Sequence, residues 1–193
     1  EFRRVLFRSS ALSMGTIAVN TWTHLAVTRL NGTVYTWMNG VRRSSVTGSG
    51  NITNTGNVRI GCYGAGTGDF WNGYLQDLRI YKGLAKYTSD FIPASTDPDI
   101  VPDSPSGVSY SSNLALTPSI DGGSVAFTGI AGTSLSLADS ADWYVTGDWT
   151  VECFFYASAL SSNAAIAAQW IDGGGTDRNI GLYAYPSGVY GST

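Results

Sequence analysis

The chain has 193 residues, of which 43% are hydrophobic and 13% charged, and its net charge is −3. This length favours one domain, or one and a part, and 24 glycines with so few charges are typical of a turn-rich β protein. No stretch is apolar for long enough to cross a bilayer and no basic cluster favours nucleic acid. We therefore expect neither membrane insertion nor nucleic-acid binding.

Residues 1–9, EFRRVLFRS, differ in composition from the rest of the chain because they carry three arginines. They resemble the translation of a sequencing-library adapter, and we interpret them as a non-native segment outside the fold. A basic targeting arm is the alternative, which no following apolar or amphipathic segment supports. On the first interpretation the native N-terminus is missing, so the sequence says nothing about a signal peptide.

Two Asn-Gly pairs, at 31–32 and 39–40, interrupt a segment in which apolar and polar residues alternate. Asn-Gly favours a type I′ turn, which needs two consecutive residues at positive φ. The pattern predicts three antiparallel strands at 22–30, 33–38 and 41–45. The first turn sets the register and pairs Leu30 with Thr33, Val27 with Thr36 and Leu25 with Met38.

This register divides the side chains of the predicted strands between two faces. The face predicted to join the core carries Leu25, Val27, Val34, Thr36 and Met38. The opposite face is half-polar and carries His24, Ala26, Thr28, Tyr35 and Trp37. Its two aromatic residues make it the face on which we expect a ligand.

The remaining segments also read as strands joined by glycine-rich or proline-rich loops. Further strands are predicted at 13–19, 57–63, 70–81, 124–127, 134–137, 149–156, 164–170 and 179–185, with one helical turn at 82–87. Residues 93–110 contain four prolines among aspartates and serines, and they are predicted to form an extended linker. No closing element is predicted after 185.

Two segments resemble a known family. Residues 21–41, TWTHLAVTRLNGTVYTWMNGV, together with 57–93, which include GYLQDLRIYKGLAKYT, resemble the C-terminal half of a laminin-G-like jelly roll. That family belongs to the concanavalin A-like lectin/glucanase superfamily, and this version is similar to domains of phage and other viral tail or adhesion proteins. Residues 125–156, VAFTGIAGTSLSLADSADWYVTGDWTVECFFY, are similar to the N-terminal half.

The resemblance implies an all-β fold, an antiparallel β-sandwich of jelly-roll type, in an unusual order. Residues 10–92 would be the C-terminal half of one domain, and 111–193 the N-terminal half of a second, truncated one. Two arrangements remain open: one circularly permuted sandwich assembled from both halves, or two incomplete sheets. Contacts between 149–156 and 22–38 decide between them.

Hydrolysis of glycosides requires two carboxyl groups, and the chain offers little to supply them. Glu152 is the only glutamate outside residues 1–9, and its same-face neighbours Thr150 and Phe154 are not acidic. We therefore expect a non-catalytic protein in which Glu152 pairs with a basic group. His24 is the only histidine. Cys62 and Cys153 are expected to be small buried hydrophobes, with a disulfide bridge as the alternative.

Sugar binding needs aromatic platforms beside hydrogen-bonding groups. The candidate carbohydrate-binding residues are Tyr35, Trp37, Asp69, Trp71 and Asn72. Burial of Trp37 and Trp71 against the second sheet is the alternative. The resemblance also implies a candidate calcium site at the loop rim, with Asp69, Asp172 and Asp177 as ligands, or else as solvated loop acids.

We thus expect a non-catalytic recognition module of an extracellular or virion protein, which binds a glycan or a cell-surface protein. A structural spacer in a tandem fibre array is the second hypothesis. A fragment of a glycoside hydrolase is the third, and the missing acid pair argues against it.

Overall fold

The computed structural model describes residues 12–47, 51–52, 55–63, 68–93, 124–160, 163–169, 181–185 and 188–192. Within these ranges the chain forms twelve strands and one 3₁₀ turn, Ala141–Trp143. The strands before residue 93 are β1 (Leu12–Gly15), β2 (Trp22–Leu30), β3 (Thr33–Met38), β4 (Val41–Thr47), β5 (Val58–Ile60) and β6 (Asn72–Lys82). Those after residue 124 are β7 (Val125–Thr128), β8 (Leu135–Leu137), β9 (Trp149–Ala157), β10 (Ala164–Gln169), β11 (Gly181–Tyr185) and β12 (Gly188–Ser192). In these parts of the chain, no helix has the length and apolarity of a membrane span.

The strands form two six-stranded sheets in which every described neighbour pair is antiparallel. Sheet I has the order β1-β12-β11-β10-β5-β8, and sheet II has the order β4-β3-β2-β9-β6-β7. The two sheets pack face to face as a sandwich, so the expected all-β jelly-roll class is confirmed.

Each sheet contains strands from the segment that ends at residue 93 and from the one that begins at residue 124. In sheet II, β9 lies between β2 and β6 and pairs with both, with Leu25 opposite Cys153 and Leu75 opposite Phe155. In sheet I, β10 pairs with β5 through Ala167 and Ile60. The structure is therefore one sandwich built from both segments, as the circularly permuted alternative requires. The origin of the segments in neighbouring repeats stays a prediction.

The β2–β3 hairpin has the predicted register. Leu30 lies opposite Thr33, and Leu25 lies opposite Met38. Asn31 and Gly32 have φ values of 48° and 76°, so both turn residues have the positive φ that a type I′ turn needs. Asn39 and Gly40 do the same at the next turn, with φ values of 51° and 77°.

The core lies between the two sheets and consists of side chains from both segments. On the β2–β3 hairpin the predicted core face is confirmed, since Leu25, Val27 and Val34 are buried there and Met38 packs against them. From the segment that begins at residue 124, Phe155, Ile166 and Leu182 join the same cluster. Cys62 and Cys153 are buried and unpaired with each other, as expected for small hydrophobes.

Two local predictions were wrong. Residues 82–87 form no helical turn, because their backbone groups bond to β9 instead: Lys86 N–H donates to the Thr150 hydroxyl at 2.8 Å, and that hydroxyl donates to the Leu84 carbonyl at 2.9 Å. The chain also has a closing strand, β12, which pairs with β11 and with β1. Its short glycine-rich sequence gives little alternation, so pairing with distant β1 decides its structure.

Residues 83–93 leave β6 and pack against the outer face of sheet II, which is the face turned away from sheet I. We call them the covering segment. Its far end is tied to the β3–β4 turn, because Phe91 N–H donates to the Gly40 carbonyl at 2.9 Å. Arg42 N–H donates to the Asp90 carboxylate, also at 2.9 Å.

Replacing Gly40 with alanine tests this close approach. A Cβ at Gly40 would overlap the Phe91 carbonyl, whereas a Cβ at Gly32, which has nearly the same φ, would meet nothing. Both variants bear the strain of a left-handed alanine, about 1–2 kcal/mol. We expect Gly40→Ala to lower the free energy of unfolding by roughly 1–3 kcal/mol more than Gly32→Ala, because the covering segment must shift. Denaturant titration measures both, and equal losses would contradict this account of the covering segment.

Candidate functional site

Glu152 is a buried carboxylate in the middle of β9, on the outer face of sheet II, and only 4% of its surface is exposed. Its Oε1 accepts hydrogen bonds from Lys86 Nζ at 2.8 Å and from the Tyr81 hydroxyl at 3.1 Å. Its Oε2 accepts from the Tyr87 hydroxyl, and His24 Nε2 lies 3.3 Å away. Lys86 and Tyr87 belong to the covering segment, so Glu152 fixes this segment to the sheet.

The cluster holds Glu152 as an anion. Burial raises the pKa of Glu152, but hydrogen bonds from His24, Lys86 and Tyr87 outweigh burial and lower the pKa to about 2. Burial likewise lowers the pKa of Lys86, and its bonds to Glu152 and Tyr81 reverse that and raise it. A general acid needs a raised pKa, so this carboxylate is not tuned to protonate a leaving group. The expected basic partner is Lys86, from the covering segment rather than a neighbouring strand.

The covering segment also decides the environment of Trp37. Trp37 is fully buried, and its ring packs against Tyr87 and Phe91. Its Nε1 donates to the Thr28 hydroxyl at 2.9 Å, and this hydroxyl donates to the Tyr87 carbonyl at 3.2 Å. Trp37 therefore offers no ring face to a ligand here. The alternative prediction, that Trp37 is buried, is therefore correct, but Trp37 is buried under the covering segment and not against sheet I.

Trp71 is also fully buried and offers no platform. Its ring makes an edge contact with Phe155 in the core between the sheets, at a centroid distance of 5.5 Å. Tyr35 is half-buried, next to Trp37, and carries the Arg42 guanidinium 5.7 Å from its ring centroid. Of these three predicted aromatic residues, Tyr35 alone keeps an exposed part.

Asp69 is half-buried at the end of the loop before β6. Its backbone carbonyl accepts a hydrogen bond from Ala165 N–H at 2.8 Å, and burial raises the pKa of its side chain. Asp172 and Asp177 lie outside the described residues. The described parts of the chain contain no group of three or more His, Cys, Asp or Glu residues that fits a metal. The calcium site stays a prediction.

A second set of aromatic residues lies on the outer face of sheet II, on three neighbouring strands. Tyr156 on β9 is the cross-strand neighbour of Trp22 on β2 and of Tyr74 on β6. Both ring pairs have centroid distances of 5.7 Å. We call these three residues the aromatic row. Tyr74 is 40% exposed, so the row ends in a ring that solvent reaches.

Amide side chains flank the aromatic row. Asn72, one of the predicted binding residues, is two positions before Tyr74 on β6, and alternate residues of a strand share a face. Gln76 follows Tyr74 by the same spacing. On the other side, Asn20 Oδ1 accepts a hydrogen bond from the Tyr156 hydroxyl at 3.3 Å. The structure thus brings Asn72 to the row and leaves Tyr35 and Asp69 elsewhere.

Two polar atoms at the row have no hydrogen-bond partner. Trp22 Nε1 is an unpaired donor and Gln76 Oε1 an unpaired acceptor, and both residues are more than nine-tenths buried. Leaving such a group unsatisfied costs about 1–3 kcal/mol, and a native structure leaves few. Both atoms are themselves buried, and Trp71 Nε1 and Trp149 Nε1 in the core are unpaired in the same way, so these atoms do not mark a binding surface.

The sequence held part of the signal for this row. Alternation in NGYLQ places Asn72, Tyr74 and Gln76 on one face, and alternation in WTVECFFY does the same for Glu152 and Tyr156. The sequence does not show that β9 enters between β2 and β6. Without that neighbourhood, Trp22, Tyr74 and Tyr156 are three separate aromatic residues.

Residues 7–86 match the family model of the laminin-G-like type described as the concanavalin A-like lectin/glucanases superfamily, and this match supports a lectin-like binding module in general. A search of curated proteins gives no match. The family match begins at residue 7 and overlaps the end of the segment 1–9. The interpretation of 1–9 as an adapter therefore stays a prediction.

Replacing Glu152 with glutamine tests the ionised cluster. The pKa of Glu152 falls from 4.5 to about 2 on folding. Its contribution to stability is therefore present above pH 4.5 and lost as the pH falls towards 2, a loss of roughly 3 kcal/mol. We expect wild-type stability to fall over this range and the fall to be shallower in Glu152→Gln, measured by denaturant unfolding at each pH.

At neutral pH, Glu152→Gln leaves the Lys86 charge without its partner and should cost about 3 kcal/mol or more. Asp77→Asn is the control, because Asp77 and Arg79 form an ion pair at 3.4 Å with both side chains 38% exposed. Such a surface pair contributes about 0–1 kcal/mol. Parallel pH profiles for the wild type and Glu152→Gln would show that Glu152 does not titrate as assigned.

Proposed function

We propose that this module binds carbohydrate at the aromatic row of sheet II, as a non-catalytic recognition part of an extracellular or virion protein. The observation that carries the proposal is the exposed Tyr74 ring beside Tyr156, with the amides of Asn72 and Asn20 on either side. The lectin-like fold of the matched superfamily supports it.

The chemistry of the row suits a sugar. A pyranose has apolar C–H faces and a rim of hydroxyl groups, so it packs on an aromatic ring and bonds to amides at its edge. Tyr74 supplies a partly exposed ring, and Tyr156 supports it through an edge contact with an interplanar angle of 73°. Asn72 and Asn20 each offer a donor and an acceptor at the rim of the rings.

The state of Glu152 supports binding without hydrolysis. Both of its oxygens are already bonded to side chains of the protein, and its pKa is about 2. A retaining or inverting glycosidase needs one carboxyl group that is protonated at its working pH. Glu152 instead stabilises the covering segment, which keeps this half of the face closed.

A glycan array followed by titration of the strongest binder tests the proposal. We expect the wild type to bind, and Tyr74→Ala to bind about tenfold more weakly through loss of about 1.4 kcal/mol of ring contact. Tyr35→Ala is the matched control, because Tyr35 is another partly exposed tyrosine of sheet II, beside Arg42 and away from the row.

Circular dichroism and the unfolding midpoint establish that both variants are folded. If no glycan binds the wild type, the proposed function is wrong. If Tyr35→Ala loses binding while Tyr74→Ala keeps it, the module binds carbohydrate but at the β3 end of the sheet.

A further inference from the structure

We infer that two copies of this chain can complete each other by exchange, so that residues 124–192 of one copy pair with residues 12–93 of another. We call 12–93 the first segment and 124–192 the second segment, in each case the described residues within these ranges. Two features of the structure carry this choice of partner: the way in which the segments share both sheets, and the length of chain that joins them.

Strand pairing in both sheets joins the two segments. Of the ten described strand pairs, six run between the segments: β1–β12, β5–β10, β5–β8, β2–β9, β6–β9 and β6–β7. The other four lie within one segment. Because β9 fills the place between β2 and β6, and β5 fills the place between β10 and β8, each segment alone has unpaired edges inside the sheets.

The side chains at these strand pairs define what can occupy the first segment. Leu25 of the first segment lies opposite Cys153 of the second, and both are buried. Lys86 of the first segment bonds to the Glu152 carboxylate of the second at 2.8 Å. An occupant must therefore supply a matching apolar strand together with a carboxylate at this position, or else Lys86 is buried without a partner. A second copy of the chain supplies both.

The connection between the segments is much longer than closure of one chain requires. It consists of the 30 residues 94–123, and a stretch of that length can span up to about 100 Å. Phe91 is bonded to Gly40 at the β3–β4 turn, and β7 lies four to five strands away, about 20–25 Å across sheet II. The connection therefore does not dictate which copy supplies the second segment.

Exchange places parts of the aromatic row on different copies. Trp22 and Tyr74 belong to the first segment and Tyr156 to the second, so each row of an exchanged pair is completed by the partner copy. Exchange keeps the contacts of the closed chain, and for this reason it costs little beyond the association itself. Within one chain the effective concentration of the second segment is on the order of 1 mM, so the dilute wild type is a closed monomer.

Complementation between two full-length variants tests the exchange. The first-segment variant carries Leu25→Asp and Val27→Asp, and the second-segment variant carries Val151→Asp and Phe155→Asp. Each variant brings two charges into the core, so neither forms an intact sandwich when it is refolded alone. When both are refolded together at about 50 μM, the intact second segment of one variant pairs with the intact first segment of the other.

We expect the mixture to unfold cooperatively with roughly half the amplitude of the wild type, since one native sandwich forms for every two chains. Its midpoint falls on dilution, whereas that of the wild type does not, because two chains hold the exchanged sandwich together. Light scattering gives the mass of two chains. Both measurements are made without sugar, so their failure leaves the proposed carbohydrate binding standing.

The control is a mixture of the first-segment variant with another first-segment variant, Val34→Asp with Leu75→Asp. No intact first segment is present in it, so no native transition is expected. A transition of equal size in this control, or in any one variant alone, would overturn the inference, because recovery would not depend on exchange. A mixture of first-segment and second-segment variants that stays unfolded would overturn it as well.

Discussion

The carboxylate of Glu152 joins two parts of the chain that are far apart in the sequence. It lies on β9, whereas His24, Tyr81, Lys86 and Tyr87, which surround it, all lie between residues 24 and 87. Since β9 is also the common neighbour of β2 and β6, its removal would divide sheet II. It would also leave the buried charge of Lys86 without its partner Glu152. The sandwich and its outer face therefore both depend on this one strand.

The same strand divides the outer face of sheet II into two halves with different chemistry. At one half, Glu152 and Thr150 bind the covering segment, which buries Trp37. At the other half, Tyr156 lies between Trp22 and Tyr74, and the Tyr74 ring stays partly exposed. The buried charges thus stabilise the fold, and the proposed ligand contact lies at the other half.

Local sequence predicted the parts of this structure that depend on neighbouring residues. The two Asn-Gly turns and the register of β2 with β3 follow from backbone preferences and alternation, as does the division of Leu25 and Trp37 between opposite faces. The solitary Glu152 was correctly expected to have a basic partner. Of the predicted binding residues, Asn72 lies at the aromatic row. Trp37 and Trp71 do not lie there, because both are fully buried. The sequence did not reveal their burial, since a tryptophan on a polar face and one in the core have the same local pattern.

The sequence by itself determined an antiparallel β-sandwich, its turns and the side chains that each strand presents to either face, because φ preferences and the two-residue period act over short distances. Only the tertiary structure decided which strands are neighbours. The position of β9 between β2 and β6, the closing strand β12 and the covering segment over Trp37 all join residues that are far apart in the chain. Such contacts are selected by the total burial and hydrogen bonding of the sandwich, which no local pattern records.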